Sequence, residues 1–141
     1  MNKIALVTGS SRGIGAATAR KLALKGYSVC INYIKDTDSA LKVVDQIEKM
    51  GGPAIPVQAD VSEEKEVEKL FTTTDDKLGR INVLINNAGI LFTQMNIDTM
   101  SAERINRTLK TNNSLVSLRS VKLYHWFIYR SFWRQISPAG V

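Results

Sequence analysis

At 141 residues the chain is long enough for one domain with a real core, and its 44% apolar content is ordinary for a globular protein. A single cysteine, Cys30, excludes an internal disulfide and fits a reducing compartment. No apolar stretch approaches the roughly 20 residues that span a bilayer, and an apolar run starts almost at the N-terminus where a leader would stand, so a cytoplasmic location without membrane contact is expected.

The net charge of +6 is unevenly placed. Residues 1–112 hold 15 basic and 13 acidic side chains, whereas residues 113–141 hold four basic and none acidic. The basic excess is therefore mostly a property of the end of the chain, and this distribution argues against a nucleic-acid partner.

In chain order, Ile4 to Val7 suit a buried parallel strand, predicted over 3–8. A glycine-rich turn follows, with Gly9, Gly13 and Gly15 spaced Gly-x-x-x-Gly-x-Gly. Gly9 permits a sharp exit from the strand, Gly13 a close approach of backbone to a ligand, and Gly15 a helix packed near the strand. A helix predicted over 13–25 would aim free N–H groups at the turn, a place suited to a pyrophosphate. Its apolar face is expected at Ile14, Ala17, Leu22 and Ala23.

The second strand is predicted over 28–33. A helix follows over 38–50, with Ala40, Leu41, Val44 and Ile47 inward, stopped by Gly51-Gly52-Pro53. The third strand is predicted over 54–58. The helix after it, 62–78, has Ser62 as its expected N-cap, and Val67, Leu70, Phe71, Thr74 and Leu78 on one side. Gly79 ends it, and a fourth strand is predicted over 81–86. A further helix is expected from near Ser101, with Ile105, Leu109, Asn112 and Val116 on a stripe. Strands alternating with helices of this length imply a parallel α/β sheet.

Thr8-Gly9-Ser10-Ser11-Arg12-Gly13-Ile14-Gly15 resembles the cofactor turn of the short-chain dehydrogenase/reductase family. Asn86-Asn87-Ala88-Gly89, after Val83-Leu84-Ile85, resembles a second motif of that family, and Asp60-Val61 a third. The resemblance covers residues 3 to about 112, and within the family it points toward members of the 3-oxoacyl-reductase and sugar-dehydrogenase type. It implies a doubly wound, Rossmann-like parallel sheet in the order third, second, first, fourth strand. That sheet would be incomplete in its C-terminal half, because the family has about seven strands.

The resemblance further implies a nicotinamide dinucleotide held by Gly9, Ser11, Arg12, Gly13, Ile14 and Gly15, by Asp60 and Val61 at the adenine, and by Asn87, Ala88 and Gly89 at the ribose. Asp60 also reads as a turn or capping aspartate beside Ser62, and Asn86 as a structural residue. Asn32 stands where an NAD-preferring member would place a carboxylate at the end of the second strand. With Arg12, and Lys35 near it, this favours NADP over NAD; Arg12 and Lys35 also read as plain solvated charges.

Catalysis in the family uses a tyrosine with a lysine four residues later, whose charge lowers the tyrosine pKa. No Tyr-x-x-x-Lys occurs in this chain. The catalytic residue with a match is Asn112, in Lys110-Thr111-Asn112, and it reads equally as a helix asparagine without a role. His125 has no partner pattern, and no metal site is expected.

Residues 113–141 carry six of the ten aromatics and both tryptophans. They are expected to form an atypical tail apart from the dinucleotide-binding unit 1–112, and to arise from a reading-frame change in a longer gene. Two readings follow: an NADP(H)-linked oxidoreductase acting on a carbonyl or alcohol, inactive in so short a chain, or a non-catalytic chain, either a nucleotide-binding fragment or a truncated product without function. The substrate and the oligomeric state are not legible.

Overall fold

A computed structural model of the chain describes residues 2–90, 93 and 95–113. The aromatic tail, including His125 and Val116 of the expected helical stripe, lies outside the described residues. Four strands alternate with helices: β1 (Lys3–Val7), α1 (Gly13–Leu24), β2 (Tyr27–Tyr33), α2 (Thr37–Lys49), β3 (Ala54–Gln58), α3 (Glu64–Lys77), β4 (Val83–Ile85) and α4 (Ala102–Asn113), with a short 3₁₀ turn at Ile97–Thr99.

The sheet is parallel throughout, in the order β3-β2-β1-β4. Its strands read as continuous apolar runs because both faces are covered. Ala5 and Val7 of β1, with Val29, Ile31 and Tyr33 of β2, pack on α1 and α2. Leu6 and Cys30 point the other way, toward Val67 and Leu70 of α3. Each large fully buried side chain, such as Leu6 or Leu70, contributes about 1.5–3 kcal/mol by leaving water.

Three helix faces differ in detail from the sequence-based expectation. On α1 the buried residues are Gly15, Ala16, Thr18, Ala19, Leu22 and Ala23, while Ile14 is 65% exposed and Ala17 lies outside. The sheet draws in the smallest side chains of the helix so that backbone can approach backbone. On α2, Val43 takes the inward place expected of Leu41, which is half exposed. For α3, Ser62 is not the N-cap. Its hydroxyl donates to Asp60 at 2.7 Å, and the helix begins at Glu64 after an extended Glu63 whose side chain makes no cap.

The strand order has a functional consequence. From β1 the chain steps outward to β2 and β3, then returns to the far side of β1 as β4. Ligands of doubly wound sheets bind beyond the carboxyl ends of the strands at such a reversal. The two connections that leave the reversal point are the turn after β1, with its glycines, and the segment Asn86–Gly89 after β4.

Candidate dinucleotide site

The turn after β1 is built on two left-handed glycines and one close approach. Gly9 has φ of 59° and faces Ala88, whose Cα would stand 3.0 Å from an added Cβ. Gly13 has φ of 57°, and an added Cβ there would meet nothing within 4 Å. Its neighbourhood is open. Gly15 is the reverse: an added Cβ would stand 2.5 Å from the Asn87 side-chain nitrogen and 2.7 Å from the Gly9 carbonyl oxygen.

Helix α1 begins at Gly13 without a side-chain cap or an acidic residue in its first turn, and Arg12 before it is fully extended. The first intrahelical bond runs from the Ala16 N–H to the Arg12 carbonyl. The N–H groups of Gly13, Ile14 and Gly15 therefore have no partner among the described residues, and they converge with the positive end of the helix dipole on the open space above Gly13. This arrangement fits a diphosphate, which supplies both the charge and the acceptors that the helix end lacks. Ser11 is half-buried, and Arg12, Gly13 and Ile14 are exposed, as a ligand-facing turn requires.

The second wall is tied to the first through Thr8, which the sequence reading did not single out. The Thr8 hydroxyl accepts from the N–H groups of Asn87 and Ala88, each at 3.0 Å, and donates to the Ile85 carbonyl at 3.3 Å. In return the Asn87 amide donates to the Thr8 and Gly9 carbonyls at 2.9 and 3.0 Å. Asn87 and Ala88 are half-buried, and Gly89 and Asn86 are exposed. A threonine directly before the first glycine was the available signal.

Two residues expected at the ligand are committed elsewhere. Asn32 is 1% exposed. Its Oδ1 accepts from the Gly9 N–H at 3.1 Å, and its Nδ2 donates to the Ala59 and Val57 carbonyls at 3.0 and 3.4 Å. It clamps the glycine turn to the ends of β2 and β3, so its side chain is not offered to the adenosine 2′ position. The expectation built on it is corrected on that ground. Val61 is 1% exposed and packs with Val67 and Leu70, so its side chain fills the core instead of lining a ring slot.

Asp60 is half-buried. One carboxylate oxygen accepts from the Ser62 N–H and hydroxyl, forming the turn that the alternative reading foresaw, and its own N–H donates to Glu66. The second oxygen has no partner among the described residues and remains able to accept from a ligand. Ser10 is fully buried, its hydroxyl donating to the Val7 carbonyl at 2.7 Å and accepting from the Asn32 N–H at 3.1 Å, which pins the turn to β2.

Asn112, on the last turn of α4, is exposed, and its Oδ1 accepts from the Ile90 N–H at 2.9 Å. An added Cβ on Gly89 would stand 3.2 Å from that oxygen. The structure thus brings Asn112 to the segment after β4. Lys35 is exposed in the β2–α2 connection. Among the described residues no group of three or more histidine, cysteine or acidic side chains could hold a metal, and no helix is long and apolar enough to cross a membrane.

The fold is a doubly wound, Rossmann-like parallel α/β sheet. Residues 3–126 match the family model described as short chain dehydrogenase, past the position near 112 where the motif resemblance ends, and the chain belongs to that family. It is 50% identical over 109 residues to the uncharacterized oxidoreductase YgfF of Escherichia coli, covering 77% of this chain and 44% of that one. It is 53% identical over 88 residues to a 3-oxoacyl-[acyl-carrier-protein] reductase of Synechocystis sp., covering 62% and 36%. A short chain dehydrogenase of Burkholderia cenocepacia, solved in complex with NADP, superposes with a TM-score of 0.76 at 40% identity, covering 81% of this chain and 46% of that one. The chain therefore spans less than half the length of these relatives.

Proposed function

We propose that residues 1–112 form the adenosine-diphosphate half of an NADP(H) site in an oxidoreductase that acts on a carbonyl or alcohol. The observation that carries this reading is the uncapped start of α1 facing the open space above Gly13. The N–H groups of Gly13, Ile14 and Gly15 hold the diphosphate, and Arg12 pairs with a 2′-phosphate. Asp60 accepts from the adenine amino group through its open oxygen, and the Asn87–Gly89 backbone lies against the ribose. When bound, the nicotinamide supplies or takes the hydride.

NADP is preferred over NAD on two grounds: the exposed cations Arg12 and Lys35, and the NADP found in the related Burkholderia structure. Asn32 no longer contributes to that preference. Asn112 braces the segment after β4 through Ile90. The Tyr-x-x-x-Lys pair is absent from this chain, so it holds the cofactor half without a positioned acid and base, a loss of about 100- to 10,000-fold in rate.

Equilibrium dialysis with adenosine 2′,5′-bisphosphate and with nicotinamide mononucleotide tests the half-site. The first is expected to bind and the second not. The purified chain is expected to show no steady NADPH oxidation with a 3-oxoacyl thioester or a sugar carbonyl above that of a Gly13→Val variant. Steady turnover would contradict the inactive reading, and failure of the bisphosphate to bind would contradict the site.

A further inference from the structure

The turn between β3 and α3 engages almost every polar group of Asp60. On the strand side the chain is anchored as far as Ala59, whose N–H donates to the Tyr33 carbonyl at 3.0 Å and whose carbonyl accepts from Asn32 Nδ2 at 3.0 Å. Beyond it, the Asp60 carbonyl accepts from the Glu63 N–H at 3.1 Å. One Asp60 carboxylate oxygen accepts from the Ser62 N–H and hydroxyl at 2.9 and 2.7 Å. The Asp60 N–H donates to a carboxylate oxygen of Glu66. Both backbone groups and one side-chain oxygen are thereby held, and the other oxygen is left for a ligand.

The Glu66 bond is not an ordinary helix cap. Glu63 is the N-cap of α3, so Glu66 stands at the third helical position, from which a glutamate commonly reaches back to the N–H of the N-cap residue. That N–H is already donated to the Asp60 carbonyl, and the Glu66 side chain reaches three residues further, to the chain leaving β3. Resting on the reading of Asp60 above, we propose that Glu66 is a positioning residue of the cofactor site. By holding the Asp60 N–H it aims the open carboxylate oxygen at the adenine amino group, and so sets how well the site tells a purine with that group from one without it. Val61 holds the turn from the core side, buried in one cluster with Val67, the residue after Glu66.

Calorimetry on the full chain tests this with adenosine 2′,5′-bisphosphate and with its analogue carrying hydrogen in place of the 6-amino group. The wild type is expected to bind the adenine probe about three- to tenfold tighter than the analogue, through one charge-assisted hydrogen bond. In Glu66→Ala the preference should fall below about twofold, while affinity for the analogue changes by less than about twofold. Glu66→Gln, which keeps an acceptor oxygen, should retain the preference. Glu66→Asp, which keeps the charge on a shorter side chain, should lose it, and serves if Glu66→Ala fails to fold. In an Asp60→Ala background Glu66→Ala should leave the ratio of the two affinities unchanged. Equal weakening of both probes, an unchanged preference, or its loss in Glu66→Gln would overturn the positioning role while leaving the diphosphate site standing. A wild-type chain that binds the two probes equally would overturn the Asp60 assignment and the positioning together, and one that binds neither would overturn the half-site.

Discussion

Asn87 and Thr8 are bonded in both directions: the Asn87 N–H donates to the Thr8 hydroxyl at 3.0 Å, and the Asn87 side-chain amide donates to the Thr8 carbonyl at 2.9 Å. The link joins the carboxyl ends of β1 and β4 across the reversal of the sheet. It sets the two walls of the candidate site at a fixed distance before any ligand arrives.

Thr8→Val keeps the shape and removes the oxygen, leaving the Asn87 and Ala88 N–H groups without their acceptor. Stability should fall by about 2–4 kcal/mol, the desolvation cost of two orphaned donors. Thr8→Ser, which keeps the oxygen, should lose about 1 kcal/mol. Urea denaturation of the two variants checks this; equal losses would mean that the hydroxyl is not the link.

Gly13 and Gly15 should respond differently to one added methyl group. Gly15→Ala forces its Cβ against Asn87 and the Gly9 carbonyl, and should cost about 2–3 kcal/mol. Gly13→Ala enters open space, and should cost about 1–2 kcal/mol, from the left-handed backbone alone. In NADPH fluorescence titrations, Gly13→Ala should weaken binding more than its stability loss explains, because its methyl group occupies the ligand's side of the turn.

Asn32→Asp is expected to act on stability before cofactor choice. The carboxylate loses the two donors to Ala59 and Val57 and turns negative charge toward their carbonyls in a buried place, a cost of about 2–4 kcal/mol. Thermal melting and paired NAD and NADP titrations separate the outcomes. A stable variant that prefers NAD would restore Asn32 to the adenosine pocket.

Burial pushes the Cys30 thiol from 9.0 to about 11, against smaller lowering effects from Thr74 and Lys77. The folded protein favours the neutral thiol, so this contribution to stability is complete below pH 9.0 and is lost as pH rises toward 11. Alkylation by iodoacetamide at pH 8 should be slow in the native chain and fast in urea. Rapid native labelling would place Cys30 at the surface.

The four strands and their order were legible because both sheet faces are covered, so each strand is a plain apolar run ending at a glycine, asparagine or aspartate. The α1 face was not. Helix periodicity weights large apolar residues such as Ile14, whereas the sheet selects Gly15, Ala16 and Ala19 for closeness. At the site, Gly9, Gly13 and Gly15 carried their geometry openly in their spacing. Asn32 did not, because whether a strand-end side chain turns outward depends on what lies beside it. Here the glycine turn of β1 supplies an N–H, and the end of β3 supplies two carbonyls. Thr8 was hidden for the same reason: its partners lie 79 and 80 residues away.

The most direct measurement is a calorimetric titration of NADP and NAD into the purified chain and into its Gly13→Val variant. The half-site predicts saturable binding, tighter for NADP than for NAD, and its loss in the variant. Absence of binding, or equal affinity in the variant, would contradict a diphosphate held at the start of α1.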